Sequence, residues 1–213
     1  MKKNRILVVA ATTDEIRQVM KNIRSRRVEY CITGVGMLNT ALTLSKYLQN
    51  RKDILLALQA GIAGSFNRKL RIGSVVNVRS EEYGDTGIET FSSFKTLKEA
   101  GFETQNRYRN PHVLPCFSHL PSVSSLTVAM ACGTAGTAAF RYNMFKTDIE
   151  NMEGLAFFKS CRMYKIPFAE LRSVSNYCGP HREGEWDMER AIKNLTSEVV
   201  PFIKWLETET YEI

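Results

Sequence analysis

The chain has 213 residues, 44% of them hydrophobic, which suits one α/β domain spanning residues 1–213 with a substantial core. Its formal net charge of +7 is dispersed: Lys2, Lys3, Arg24, Arg26, Arg27, Arg51, Lys52, Arg107 and Arg109 fall at termini, helix ends and loops, without RNP-like, helix-turn-helix or finger spacing, which argues against a nucleic-acid reader. No apolar run approaches 18 residues and the opening MKKNRILVVAATTDE is unlike a cleaved signal, so a soluble cytoplasmic protein with no membrane partner is expected.

In chain order, the run RILVVAA (residues 5–11) reads as a strand and residues 14–24 as a helix. VEYCITG (28–34) is a second strand that ends in the glycine turn TGVG (33–36), which holds Val35 and Gly36, and residues 37–49 carry a helical pattern. ILLALQAG (54–61) is a third strand, running into a second glycine turn, AGIAGS (60–65), with Gly61, Ile62 and Ala63. Glycine permits positive φ or a close backbone approach. Neither turn completes a phosphate-cradling motif, but together they suggest a pocket floor. GSVVNV (73–78) is a fourth strand. Residues 80–125 look irregular, with Pro111, Pro115 and Pro121, and read as a lid or a partner contact. LTVAMA (126–131) and FAELRSVS (168–175) are further strands, and residues 154–164 and 186–205 are helices. The alternation predicts a mostly parallel or mixed twisted sheet flanked by helices, with ligand at the carboxyl ends of strands. Five scattered cysteines without a C-x-x-C pair read as reduced thiols; neither a disulfide nor a metal site is expected.

Three polar residues stand at the ends of apolar segments. Glu15 follows the first strand, where Thr13 and Asp14 could cap the helix and Glu15 complement its dipole. Glu153, in DIENMEGLAFF, sits beside so much apolar surface that its carboxylate needs partners, some of them from a helix N-terminus. Asn176, where the last strand runs out, is by itself an ordinary turn former.

Taken in order, the trio lies in segments that resemble the nucleoside phosphorylase and nucleosidase superfamily: ILVVAATTDEI, ITGVGMLNTAL, LQAGIAGSFNRKLRIGSVVNV, EEYGDTGIE, DIENMEGLAFF and IPFAELRSVSNYCGP. Within it the chain is similar to the hydrolases, namely the methylthioadenosine/S-adenosylhomocysteine nucleosidases and, more closely, the futalosine hydrolases. The segments GDTGIE, SNY and REGEWDMERAIKNL carry the likeness to that second branch. The resemblance implies a homodimer or larger homo-oligomer, a small nucleoside substrate and no cofactor or metal. It implies Glu15 as the base that activates water, Glu153 as acceptor of the ribose hydroxyls with Met152 packed on the sugar, and Asn176 facing the purine. Gly36, Val35, Gly61, Ile62, Ala63, Ser175 and Thr134 are implied in substrate binding, the last from ACGTAGT (131–137).

In adenine-releasing relatives the position of Asn176 is Asp. An amide offers an NH2 to an O6 acceptor and a carbonyl to a protonated N7, so Asn implies a six-oxopurine. Phosphorylases of the superfamily carry arginines in two places where this chain has Thr12, Thr13 and Glu15, and Ile62 and Ala63, and an acid in a phosphate pocket is unfavourable, so water is the implied nucleophile. Futalosine also bears a benzoate, for which Arg107, Arg109 and His112 are candidate contacts, since the resemblance implies that their stretch closes a neighbouring subunit's pocket.

Overall fold

The computed structural model of the chain describes residues 4–91, 93–180 and 185–208; Lys2, Lys3 and the 182–184 portion of REGEWDMERAIKNL lie outside the described residues. The first strand, β1 (Arg5–Ala10), is buried at every position from Ile6 to Ala10. A strand covered on both faces needs such an unbroken apolar run, and burying each of Ile6, Leu7, Val8 and Val9 stabilises the fold by about 1.5–3 kcal/mol.

The chain continues through α1 (Thr13–Asn22), β2 (Val28–Ile32), α2 (Met37–Leu48) and β3 (Ile54–Ser65). Next come β4 (Val75–Tyr83), a hairpin of β5 (Gly87–Glu89) and β6 (Phe94–Thr96), β7 (Arg107–Arg109), a 3-10 turn at Pro115–Phe117 and β8 (Ser122–Thr127). The last elements are α3 (Ala135–Phe145), β9 (Ile149–Asn151), α4 (Gly154–Met163), β10 (Phe168–Tyr177) and α5 (Met188–Thr208).

The sheet is mixed, and part of it closes on itself. β3 pairs in parallel with β10 from Ala57 to Ser65 along one edge. Its other edge pairs in parallel with β1 up to Gln59 and then antiparallel with β9 at Gly64 and Ser65. The ring continues from β10 to β4, β8 and β9, and β2 extends the sheet beyond β1. On β3 this leaves Ala60–Ala63 without a strand partner on the β1/β9 side, and the candidate site sits over that gap. Helices cover both faces: α2 and α4 pack with Leu7, Val9 and Phe168, while α1 and α5 pack with Ile6, Val8 and Leu171. Among the described residues no helix is long and apolar enough to cross a membrane.

The structure corrects three expectations. AGIAGS is not a turn: all six residues continue β3, and only TGVG leaves the extended state, with Gly34 and Gly36 at φ 84° and 95°. Residues 80–125 are irregular only in part: β4 runs on to Tyr83, β7 pairs with its far half, and the β5–β6 hairpin and the start of β8 fall in the same stretch. Asn176 lies within β10, not in a turn after it.

Candidate active site

A cavity of about 230 Å³ opens where β1, β3, β9 and β10 end. Its wall contains Glu15, Val35, Ile62, Ala63, Met152, Glu153, Ser175 and Asn176, eight of the residues singled out from the sequence.

Glu15 is held by two elements at once. Thr12, rather than Thr13 or Asp14, caps α1, and Glu15 completes a capping box by accepting from Thr12 N through Oε2 at 3.0 Å. Its other oxygen, Oε1, accepts from Ile62 N at 3.1 Å, within the unpaired gap of β3. The capping role leaves room for a chemical one, since Oε2 accepts from both Thr12 N and Thr12 Oγ1 while Oε1 keeps a lone pair. Burial pushes the Glu15 carboxyl above its ordinary 4.5; Glu153 adds to the rise, while Arg172, Thr12 N–H and Ile62 N–H pull it back.

Glu153 occupies the N-cap position of α4 but does not cap it. The first amides of that helix are met elsewhere: Asn151 Oδ1 accepts from Glu153 N and Gly154 N at 2.8 and 2.7 Å, and Thr127 Oγ1 accepts from Leu155 N at 2.8 Å. The Glu153 carboxylate is thereby released toward the cavity, where Oε1 accepts from Gly36 N at 3.0 Å and Oε2 pairs with Arg172 Nη1 at 3.3 Å. Gly36 acts from behind the wall through its N–H and is not part of the lining.

Arg172 was not singled out from the sequence. It is fully buried on β10 and donates through Nε to Glu170 at 2.7 Å, through Nη1 to Glu153 and the Ile62 carbonyl at 3.3 Å each, and through Nη2 to Asn151 Oδ1 at 3.2 Å. Gly61 makes room for this arrangement. A Cβ there would sit 2.5 Å from Arg172 Nη1 and 2.8 Å from Glu15 Oε1, so the glycine serves close approach and not a turn.

Asn176 and Glu150 face each other across a glycine. Both residues pair with Gly64, one on β10 and one on β9, so their side chains flank a slot with no Cβ in its floor. Asn176 Oδ1 lies 2.8 Å from Ser175 Oγ, and Nδ2 donates to the Tyr177 carbonyl at 3.3 Å. Glu150 accepts from Cys132 N at 2.6 Å and from buried Arg141 at 2.8 Å; Arg141 also donates to the Met130 carbonyl at 2.9 Å. The residue 130–132 wall is thus tied to the floor.

Thr134 is a correction: it caps α3, accepting from Thr137 N at 3.1 Å, and does not line the cavity. Arg107, Arg109 and His112 lie outside the lining of this chain's own cavity, as expected of a stretch read as closing a neighbour's pocket; Arg107 pairs with Glu82 at 2.8 Å and His112 packs edge-on to Phe168. Trp186 and Met188 do line it and were not anticipated. A lone aromatic within the polar stretch GEWDME is the signal that could have found the first. Among the described residues the lining holds no Lys or Arg.

The profile of the Phosphorylase superfamily matches residues 10–204. The chain belongs to that superfamily. Futalosine hydrolase of Thermus thermophilus is 29% identical over 182 residues, covering 80% of this chain and 78% of that protein. The 5'-methylthioadenosine/S-adenosylhomocysteine nucleosidase of Colwellia psychrerythraea is 24% identical over 200 residues, covering 82% and 78%. In fold the chain is similar to the native futalosine hydrolase of Helicobacter pylori strain 26695, with a TM-score of 0.81 at 14% identity over 95% of this chain and 98% of that one.

Proposed function

We propose that this superfamily member hydrolyses the N-glycosidic bond of a six-oxopurine nucleoside, with futalosine as substrate and hypoxanthine as leaving group. The observation that carries the reading is Asn176 in one cavity with two carboxylates, Glu15 and Glu153. Water gives its proton to Glu15 as its oxygen bonds to the anomeric carbon and the bond to the purine breaks; a raised carboxyl suits a general base. The ribose acquires oxocarbenium character, and Glu153, held by Gly36 N–H and Arg172, accepts from its hydroxyls while Met152 packs on the ring. Asn176 gives Nδ2–H to O6 and accepts from N7 once N7 has taken a proton from solvent water or a neighbouring group, since the amide itself cannot supply one.

Water is preferred to phosphate because, among the described residues, the lining holds no Lys or Arg: Arg172 behind it is already shared by Glu170 and Glu153, and an acid in a phosphate pocket is unfavourable. The relative from Thermus thermophilus supports the futalosine branch. On this reading the enzyme works in the cytoplasm in menaquinone biosynthesis, as a homodimer or larger homo-oligomer.

Incubation with futalosine, inosine and methylthioadenosine, with and without phosphate, tests the proposal. Release of hypoxanthine from futalosine at a phosphate-independent rate is expected. Preferential release of adenine from methylthioadenosine would make the chain a nucleosidase of the other branch, and a strict need for phosphate would make it a phosphorylase.

A further inference from the structure

Behind the cavity two more glutamates are sealed in the core: Glu81 of β4 and Glu170 of β10, each 0% exposed. They crowd one point beside α4, since a Cβ on Gly154 would collide with Glu81 Oε1 and come within 2.8 Å of Glu170 Oε1. The donors around them are fixed by their other bonds. The Thr127 hydroxyl oxygen accepts from Leu155 N, so its hydrogen goes to Glu81 Oε2 at 2.6 Å. Asn151 Oδ1 accepts from two amides and from Arg172, so its NH2 faces Glu81 Oε1 at 2.6 Å. Arg172 Nε serves Glu170 Oε1. Glu170 Oε2 is buried without any of these donors.

Adjacent buried carboxyls do not both ionise, and a buried anionic oxygen without a donor is strongly unfavourable. Among the described residues the cation beside the pair, Arg172, already serves Glu170, Glu153 and Glu15. We propose that Glu81 carries a proton and donates it to Glu170 Oε2, so that Glu81 and Glu170 form a positioning chain that holds Arg172 against Glu153.

Glu170 then keeps its charge for Arg172, and Arg172 presents Nη1 to Glu153 in a fixed orientation. The charged and titratable groups facing the pair are Arg172 on the same strand, Glu153 at the start of α4, Glu15 through Arg172, and the Cys161 thiol on α4 beside Glu170. Burial holds the Glu81 proton well above the ordinary carboxylate range, Glu170 reinforces this, and Thr127, Arg172 and Asn151 oppose it. The competitor for the bare oxygen is Gln59, opposite Glu170 on β3, whose amide nitrogen is also buried without a partner.

Infrared difference spectroscopy on the intact protein at pH 7 tests the proton directly. A deuterium-sensitive carbonyl band of a protonated carboxyl is expected in wild type, in Glu15→Gln and in Gln59→Leu, and its loss in Glu81→Gln. Absence of the band from wild type, or its persistence in Glu81→Gln, overturns the proposal; the wild-type spectrum decides if the variant does not fold. The positioning role rests on the nucleosidase reading and is read from turnover. Glu170→Gln is expected to lower kcat about 100-fold, the scale of a 1 Å misplacement. Glu81→Gln is expected to stay within about threefold of wild type while losing an alkaline limb of the pH profile. Unchanged kcat in Glu170→Gln, or an alkaline limb retained in Glu81→Gln, contradicts that role. No turnover of any nucleoside by wild type would sink the nucleosidase reading and leave the infrared result standing.

Discussion

At the residue scale, the base proposed for water, Glu15, also serves the capping role that the sequence offers as its alternative. One oxygen closes the capping box of α1 and the other takes the free amide of Ile62. Replacement by Gln keeps the size but removes the base, so turnover is expected to fall by about 10²–10⁴-fold. Gln at this position can still accept from Thr12 N and so keep the capping box, so stability is expected to change little, which a denaturation curve measures beside the kinetics. The pH dependence has a definite sign. Because burial raises the Glu15 carboxyl above 4.5, the ionised base is lost on acidification sooner than for a solvated glutamate, and kcat/KM should fall on the acidic side with a midpoint above 4.5. A midpoint at or below that value contradicts the assignment.

At the element scale, the site exists because β3 outruns β1. The extra residues carry Gly61 past the end of the parallel pairing, where Arg172 and Glu15 close over it. Gly61→Ala is therefore expected to displace both side chains and lower kcat/KM about 100-fold with the fold retained; unchanged kinetics would show that the crowding does not matter. Much of this framework was legible in sequence. The continuous apolar runs marked β1 and β10, and the order of Glu15, Glu153 and Asn176 at segment ends marked the cavity. Arg172 was missed because FAELRSVS was read as an apolar run, although two charges two residues apart on one face of a buried strand signal a buried ion pair. β9 has only three residues, and α3 lacks a strong apolar stripe, so neither had a period to detect. AGIAGS misled because its glycines serve close approach, which local sequence does not separate from turn formation.

At the scale of the whole molecule, the surface beside the cavity is apolar. Leu38 and Leu42, one turn apart on α2, are 72% and 64% exposed, and Val35, itself part of the cavity wall, continues the stripe to the mouth. A stripe of this kind suits contact with a second copy of the chain. Light scattering after gel filtration should give twice the chain mass for wild type and the chain mass for a Leu38→Glu, Leu42→Glu double variant. A monomeric wild type would contradict the homo-oligomer.

The amide opposite two carboxylates carries the account as a whole, and the ratio of kcat/KM for a six-oxopurine nucleoside to that for its six-amino counterpart tests it most directly. Wild type is expected to favour the six-oxo nucleoside by about 100-fold or more, because a site built to hydrogen-bond one polar group rejects its mismatch. Asn176→Asp is expected to shift the ratio toward the six-amino nucleoside by at least as much. A ratio that Asn176→Asp leaves unchanged would contradict the assignment of Asn176 as the group that reads the base.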